Sequence, residues 1–215
     1  MHTHDDAHGH AKAAAQDDPL PGYYEIMETA VRELLVENQL IGPGEIRRQI
    51  EVLDSRSPAL GANVVARAWV DHEFRKRLLA NGRVACEEEF GISFYDDTEL
   101  IVLENTEKVH NLIVCTLCSC YPRPVLGLPP DWYKAKAYRS RAVKEPRAVL
   151  AEFGTIIPED VEIRVSDSTA VVRYLVLPRR PEGTENSTEE QLAALVTRDA
   201  MIGVVPVQIP TANLS

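Results

Sequence analysis

Three of the chain's four cysteines fall inside one short segment, Cys115-Thr116-Leu117-Cys118-Ser119-Cys120. No other feature constrains the local fold as strongly. A loop this tight presents its thiols together, and a thiolate is a soft, strong metal ligand, so all three can face a single ion. A disulfide fits less well. A pair two or three residues apart closes only a small strained ring and leaves a third thiol over. An ordinary structural zinc site takes four protein ligands, usually as two distant pairs. No second cysteine pair exists here, and Cys86 stands alone upstream. Three buried structural cysteines are the bland alternative, but clustering beside polar Thr116 and Ser119 serves no packing purpose.

The missing ligands have a local source. The backbone nitrogens of Ser119 and Cys120 lie between the flanking sulfurs. Once deprotonated, they could complete a square with two of the thiolates, the third being axial. Only a strongly Lewis-acidic ion, such as trivalent cobalt or iron, displaces an amide proton. Such a set leaves one octahedral position open to water or substrate, which distinguishes a catalytic metal from a structural one.

The run from Val114 through Cys120 continues as Tyr121-Pro122-Arg123-Pro124-Val125-Leu126-Gly127-Leu128-Pro129-Pro130-Asp131-Trp132-Tyr133-Lys134. It resembles the alpha subunit of nitrile hydratase and the homologous gamma subunit of thiocyanate hydrolase. Further matching segments are Val65–Asp71, Glu104-Asn105-Thr106, Tyr138-Arg139-Ser140-Arg141, Arg173–Pro178 and Leu195–Asp199, and the likeness runs from about Glu25 to Val204. The resemblance implies that Cys115, Cys118 and Cys120 are sulfur ligands and that Ser119 and Cys120 ligate through amide nitrogen. It implies oxidation of Cys118 to sulfinic acid and of Cys120 to sulfenic acid. Catalytic roles would then fall to Cys120 and Ser119. Arginines on a beta-type partner subunit would hold the added oxygens, in a hetero-oligomer that a metal-delivery activator protein could load. Thr116 follows the cobalt form of the family, so low-spin cobalt(III) is expected ahead of iron(III).

Arg123 departs from the nitrile hydratase pattern. Most members carry Trp there, whereas thiocyanate hydrolases carry Arg. An aromatic suits a neutral nitrile and a guanidinium suits an anion, so Arg123 is a candidate substrate-pocket residue. A surface ion pair or a subunit contact is its alternative. Asp96 stands where nitrile hydratases commonly have a Gln near the metal. The expected reaction is hydration of a nitrile to its amide, with conversion of thiocyanate to carbonyl sulfide and ammonia as the alternative.

At 215 residues the chain can bury one good core and a smaller appended unit. A net charge of −10, with no basic stretch to offset it, argues against nonspecific nucleic-acid binding. No apolar run is long enough for a membrane span and no signal-peptide core opens the chain, so a cytoplasmic enzyme is expected.

Residues 1–20, with His2, His4, His8 and His10, read as a disordered tail able to bind metal loosely or to do nothing. Residues 21–92 read as a helical N-terminal arm. Helices are expected from about Tyr23 to Asn38, after Pro43, through Leu60–Trp69, and from an Asp71 cap through Leu79. Cys86 is expected on the fourth of these helices as a small core residue. Residues 93–205 read as the α/β metal-binding domain. Its strands fall near Glu99–Leu103, Leu112–Cys115, Val161–Val165 and Val171–Leu177, and one helix runs from about Arg147 to Phe153. A last helix is capped by Ser187 with Glu190. The resemblance adds that this domain is a layered α-β-β-α fold carrying the claw loop. From Pro206 onward the tail is loose. His110 is expected to be a hydrogen-bonded structural histidine, and Tyr138–Arg141 to brace either the claw loop or the partner.

Overall fold

The computed structural model describes residues 22–94, 97–117 and 120–210. The N-terminal tail with its histidines, Asp96, Cys118, Ser119 and the last residues of the C-terminal tail lie outside the described residues. The helices are α1 (Tyr23–Glu37), α2 (Glu45–Asp54), α3 (Pro58–Val70), α4 (His72–Ala80), α5 (Gly82–Phe90), α6 (Arg123–Leu126), α7 (Asp131–Lys134), α8 (Lys136–Lys144), α9 (Pro146–Glu152), α10 (Glu189–Leu195) and α11 (Arg198–Ile202). The strands are β1 (Glu99–Glu104), β2 (Val109–Val114), β3 (Glu162–Asp167) and β4 (Val172–Leu177). The mixed helix and strand composition agrees with the α/β expectation.

Local chemistry sets the boundaries. Asp71 caps α4 as expected, its Oδ1 accepting from the Phe74 amide at 2.9 Å. The helical run does not continue to Cys86. Asn81 interrupts it and caps a separate helix, with Oδ1 accepting from Val84 N at 3.1 Å, so Cys86 sits on α5. Pro43 precedes α2 and does not begin it: Gly44, at φ 75° in the left-handed region, stands between Pro43 and the first helical residue, Glu45. Pro146 does open α9, and Gly154 follows that helix in the left-handed region at φ 80°. The last capping box is shifted by one residue. Thr188 and Gln191 exchange the two bonds, while Ser187 N is held by Thr184 O in the preceding turn.

The described residues divide into two compact units between Gln49 and Ile50. Helices α3, α4 and α5, which the sequence reading groups with the arm, thus share a unit with the strands. Helix α3 packs on α10, α6 and α11, and α4 and α5 pack on β1. By contrast, α1 buries no residue, and Tyr23, Tyr24, Ile26, Met27, Val31 and Leu34 are exposed.

No hairpin joins the described strands. Strand β1 pairs with β4 and β2 with β3, both parallel, in two two-stranded sheets. Parallel neighbours require long crossovers, and the β2-to-β3 crossover carries the cysteine loop and α6–α9. The core between these elements includes Phe74, Leu78, Leu112, Ile113, Leu126, Tyr133, Leu175 and Ile202. Helix α11 ends at Gly203, whose φ is 92°, and a Cβ there would stand 2.1 Å from Asn111 O. The buried His110 closes the same corner, with Nε2 2.7 Å from Gly203 O. Facing a carbonyl, Nε2 must carry the proton, and Nδ1 is left as the acceptor toward Asn105 Nδ2 at 3.5 Å. His110 is therefore structural, as expected. Among the described residues, no helix is long and apolar enough to cross a membrane.

Two outcomes follow. Gly203→Ala should destabilise the protein by more than about 2 kcal/mol in chemical denaturation, from left-handed strain plus the Asn111 clash. Burial depresses the imidazole pKa of His110 below its ordinary 6.5. As pH falls through that ordinary value, the unfolded chain takes up a proton that the native site resists. Stability should therefore drop from pH 7 toward acid, and His110→Gln should flatten that part of the profile.

Candidate metal centre

Strand β2 ends at Val114, and Cys115 follows at once, buried at 1% exposure. The register pairs Val114 with Asp167, the last residue of β3, so parallel pairing brings both C-terminal strand ends to one edge. Asp167 uses that position to hold the loop. Its Oδ1 accepts from Thr116 N at 2.9 Å and its Oδ2 from Thr116 Oγ1 at 2.5 Å. Arg139 Nη1 donates to Thr116 O at 3.3 Å. All three polar atoms of Thr116 are thus occupied. A serine hydroxyl would make the same bond to Asp167, so this contact does not choose between cobalt and iron.

The far end of the loop is pinned from below. The ring of Tyr133 is fully buried and its hydroxyl donates to Cys120 O at 2.9 Å. Tyr138 donates to Ile113 O at 2.7 Å, just before the loop begins. These rings belong to an aromatic cluster with Trp132, Phe153 and Tyr121, in edge-to-face contacts at 4.8–5.1 Å for Trp132–Phe153, Trp132–Tyr138 and Tyr121–Tyr133. Burial raises the Tyr133 phenol above its ordinary pKa.

The structure brings Cys115, Cys120 and Arg123 to the same loop and the helix that follows it, and Cys118 and Ser119 lie outside the described residues. Among the described residues alone, no group of three or more His, Cys, Asp and Glu gathers around one point. The donor set still fits a soft Lewis-acidic ion. Two cysteines bound a loop fixed at both ends, with further sulfur and amide donors in the sequence between them. Arg123 is exposed at the start of α6 and has no ion-pair partner among the described residues. Within Tyr138–Arg141, Tyr138 and Arg139 brace the claw side, while Arg141 is engaged by Glu145 and Glu152. Cys86 is wholly buried, and burial pushes its thiol up to about 12.

Sequence reasoning missed Asp167 and Tyr133 as supports. Asp167 lies beyond the end of the expected strand Val161–Val165, and nothing in the sequence reveals that β3 pairs with β2. Tyr133 lay in a quoted motif, but its hydroxyl's target depends on the fold.

A model of the nitrile hydratase alpha chain matches residues 22–205. The chain belongs to the nitrile hydratase alpha-chain family. It is 57% identical over 183 residues to the alpha subunit of the low-molecular weight cobalt-containing nitrile hydratase of Rhodococcus rhodochrous, covering 85% of this chain and 86% of that one. The gamma subunit of thiocyanate hydrolase from Thiobacillus thioparus is 43% identical over 192 residues, covering 84% and 79%. Among solved structures, a double mutant of the Fe-type nitrile hydratase from Comamonas testosteroni Ni1 matches with a TM-score of 0.75 and 43% identity, over 88% of this chain and 94% of that chain. Nitrile hydratase alpha chains thus share both the sequence and the fold.

Asp167→Ala should release Thr116 while leaving the core intact. Because the contact is exposed, the stability cost should be about 1 kcal/mol, whereas hydrogen exchange at the Thr116 amide should speed up about fivefold or more, as about 1 kcal/mol or more of local protection is lost. Tyr133→Phe keeps the ring and should leave Thr116 exchange unchanged.

Proposed function

We propose that the chain is the metal-bearing subunit of a cobalt nitrile hydratase that hydrates a nitrile to the corresponding amide. The observation carrying this reading is the Cys115-Thr116-Leu117-Cys118-Ser119-Cys120 sequence following β2, in a chain 57% identical to a cobalt-containing alpha subunit. Cys115, Cys118 and Cys120 would hold low-spin cobalt(III) through sulfur, and Ser119 and Cys120 through backbone nitrogen. When bound, the ion supplies Lewis acidity toward a nitrile or water. Cys118 would carry sulfinic acid and Cys120 sulfenic acid, the latter's oxygen serving as nucleophile or base. Asp167, Arg139 and Tyr133 would keep the loop in one geometry, as supporting side chains do around metal sites.

The uncovered apolar face of α1 supports a hetero-oligomer with a beta-type subunit, in which α1 forms part of an arm and the partner completes the pocket. A cytoplasmic location and an activator protein for metal delivery belong to the same reading. Nitrile is favoured over thiocyanate because the nitrile hydratase alpha subunit is matched at 57% and the thiocyanate hydrolase gamma subunit at 43%. The alternative, thiocyanate hydrolase, rests on Arg123. It stands three residues past Cys120, with no carboxylate on its guanidinium among the described residues.

Elemental analysis of the assembled complex should find about one cobalt per chain, and Cys115→Ala, Cys118→Ala and Cys120→Ala should each abolish binding. Zinc at full occupancy, or cobalt retained after any one substitution, would refute the claw. Peptide mass spectrometry should find added oxygens on the segment containing Cys118 and Cys120 and none on Cys86, whose thiol hardly ionises. Arg123→Trp should lower catalytic efficiency on thiocyanate by about one to two decades, the worth of about 1.5–3 kcal/mol for a charge-assisted contact. Amide formation from a simple nitrile by the wild-type complex, faster than ammonia release from thiocyanate, is the expected preference.

A further inference from the structure

Helix α8 carries Lys136, Arg139, Arg141 and Lys144 and no acidic residue. Two of these cations are accounted for within the chain. Arg141 binds Glu145 and Glu152, each at 2.6 Å, and Arg139 reaches Thr116 O. Lys136 and Lys144 have no ion-pair partner among the described residues. Together with Thr116, Leu117, Ser140 and Val143 they line an open cavity of about 450 Å³. Among the described residues no acidic side chain lines it, in a chain whose net charge is −10. Its apolar wall is also uncovered: Leu117 is 88% exposed and Val143 50%.

A small inorganic anion would satisfy the lysines but leave Leu117 and Val143 in water. A purely apolar segment would cover Leu117 and Val143 but offer the lysines nothing. An occupant with a carboxylate beside an apolar side chain satisfies both walls. We propose that this cavity seats an acidic segment of the beta-type partner subunit, with carboxylates between Lys136 and Lys144 and an apolar side chain against Leu117 and Val143. This rests on the reading of the chain as one subunit of a hetero-oligomer. Thr116 and Leu117 belong to the cysteine loop, so the seated segment would touch that loop directly.

The test uses the assembled complex, treated with a zero-length carbodiimide cross-linker and analysed by peptide mass spectrometry. Lys136 or Lys144 should be joined to an Asp or Glu of the partner, and both lysines should be less reactive toward acetylation than in the isolated chain. The double variant Lys136→Glu with Lys144→Glu should weaken assembly about tenfold or more at low salt, with a smaller loss for the two Lys→Gln changes and convergence at high salt. The proposal is overturned if the cross-links join these lysines to this chain's own carboxylates or to a second copy of it. It is equally overturned if acetylation is the same in the complex and the isolated chain, or if inorganic phosphate alone protects the lysines as well as the partner does. A wild-type complex that forms but leaves both lysines reactive defeats this inference alone. A wild-type chain that forms no complex defeats the hetero-oligomer reading as well.

Discussion

Parallel pairing of β2 with β3 is the constraint on which the candidate centre depends. Val114 and Asp167 face each other in the register, so the strand that delivers Cys115 and the strand that delivers Asp167 end at the same edge. In open α/β sheets, ligand sites gather at the carboxyl ends of strands because the loops leave from there. Here the crossover required by parallel pairing is itself the cysteine loop and the helices that follow it. An antiparallel β2–β3 pairing would place Asp167 at the opposite end of β2, and Thr116 would lose two of its three polar contacts.

Two kinds of force hold this arrangement, and their sizes assign them different tasks. Burial of large aromatic side chains such as Tyr133 and Tyr138 is worth about 3–5 kcal/mol each on truncation and sets the stability of the region. The hydrogen bonds from Asp167, Tyr133 and Tyr138 contribute about 1 kcal/mol each, too little to decide folding. They decide where the loop's backbone lies. Thr116 is fixed by its amide, hydroxyl and carbonyl, and Cys120 by its carbonyl. A loop that must present several donors to one ion gains from having both ends fixed beforehand.

Much of the fold was legible in the sequence, and the failures share a cause. Apolar periodicity located α1, α3 and α4, and Asp71 and Pro146 announced helix starts by local chemistry. The four strands appeared as short β-branched runs. What local chemistry leaves nearly balanced was misread. Asn81 splits α4 from α5, and Thr188 caps α10 where the neighbouring Ser187 reads equally well. The short helices α6, α7 and α8 sit in a proline-rich stretch whose periodicity is too brief to register. The pairing of β1 with β4 and β2 with β3 is nonlocal, so no window of sequence contains it. The candidate site divides the same way. Cysteine spacing nominated the candidate donors, whereas Asp167 and Tyr133, remote from the loop in sequence, became visible only with the fold.

The central claim is that cobalt in this chain is held by cysteine sulfur together with deprotonated backbone nitrogen. Cobalt K-edge X-ray absorption on the assembled complex tests it most directly. The account predicts a low-spin trivalent edge and a first coordination shell that requires both sulfur and nitrogen donors, with the sulfur contribution lost in Cys115→Ala. A shell fitted by oxygen and imidazole nitrogen alone, or one unchanged by Cys115→Ala, would contradict it.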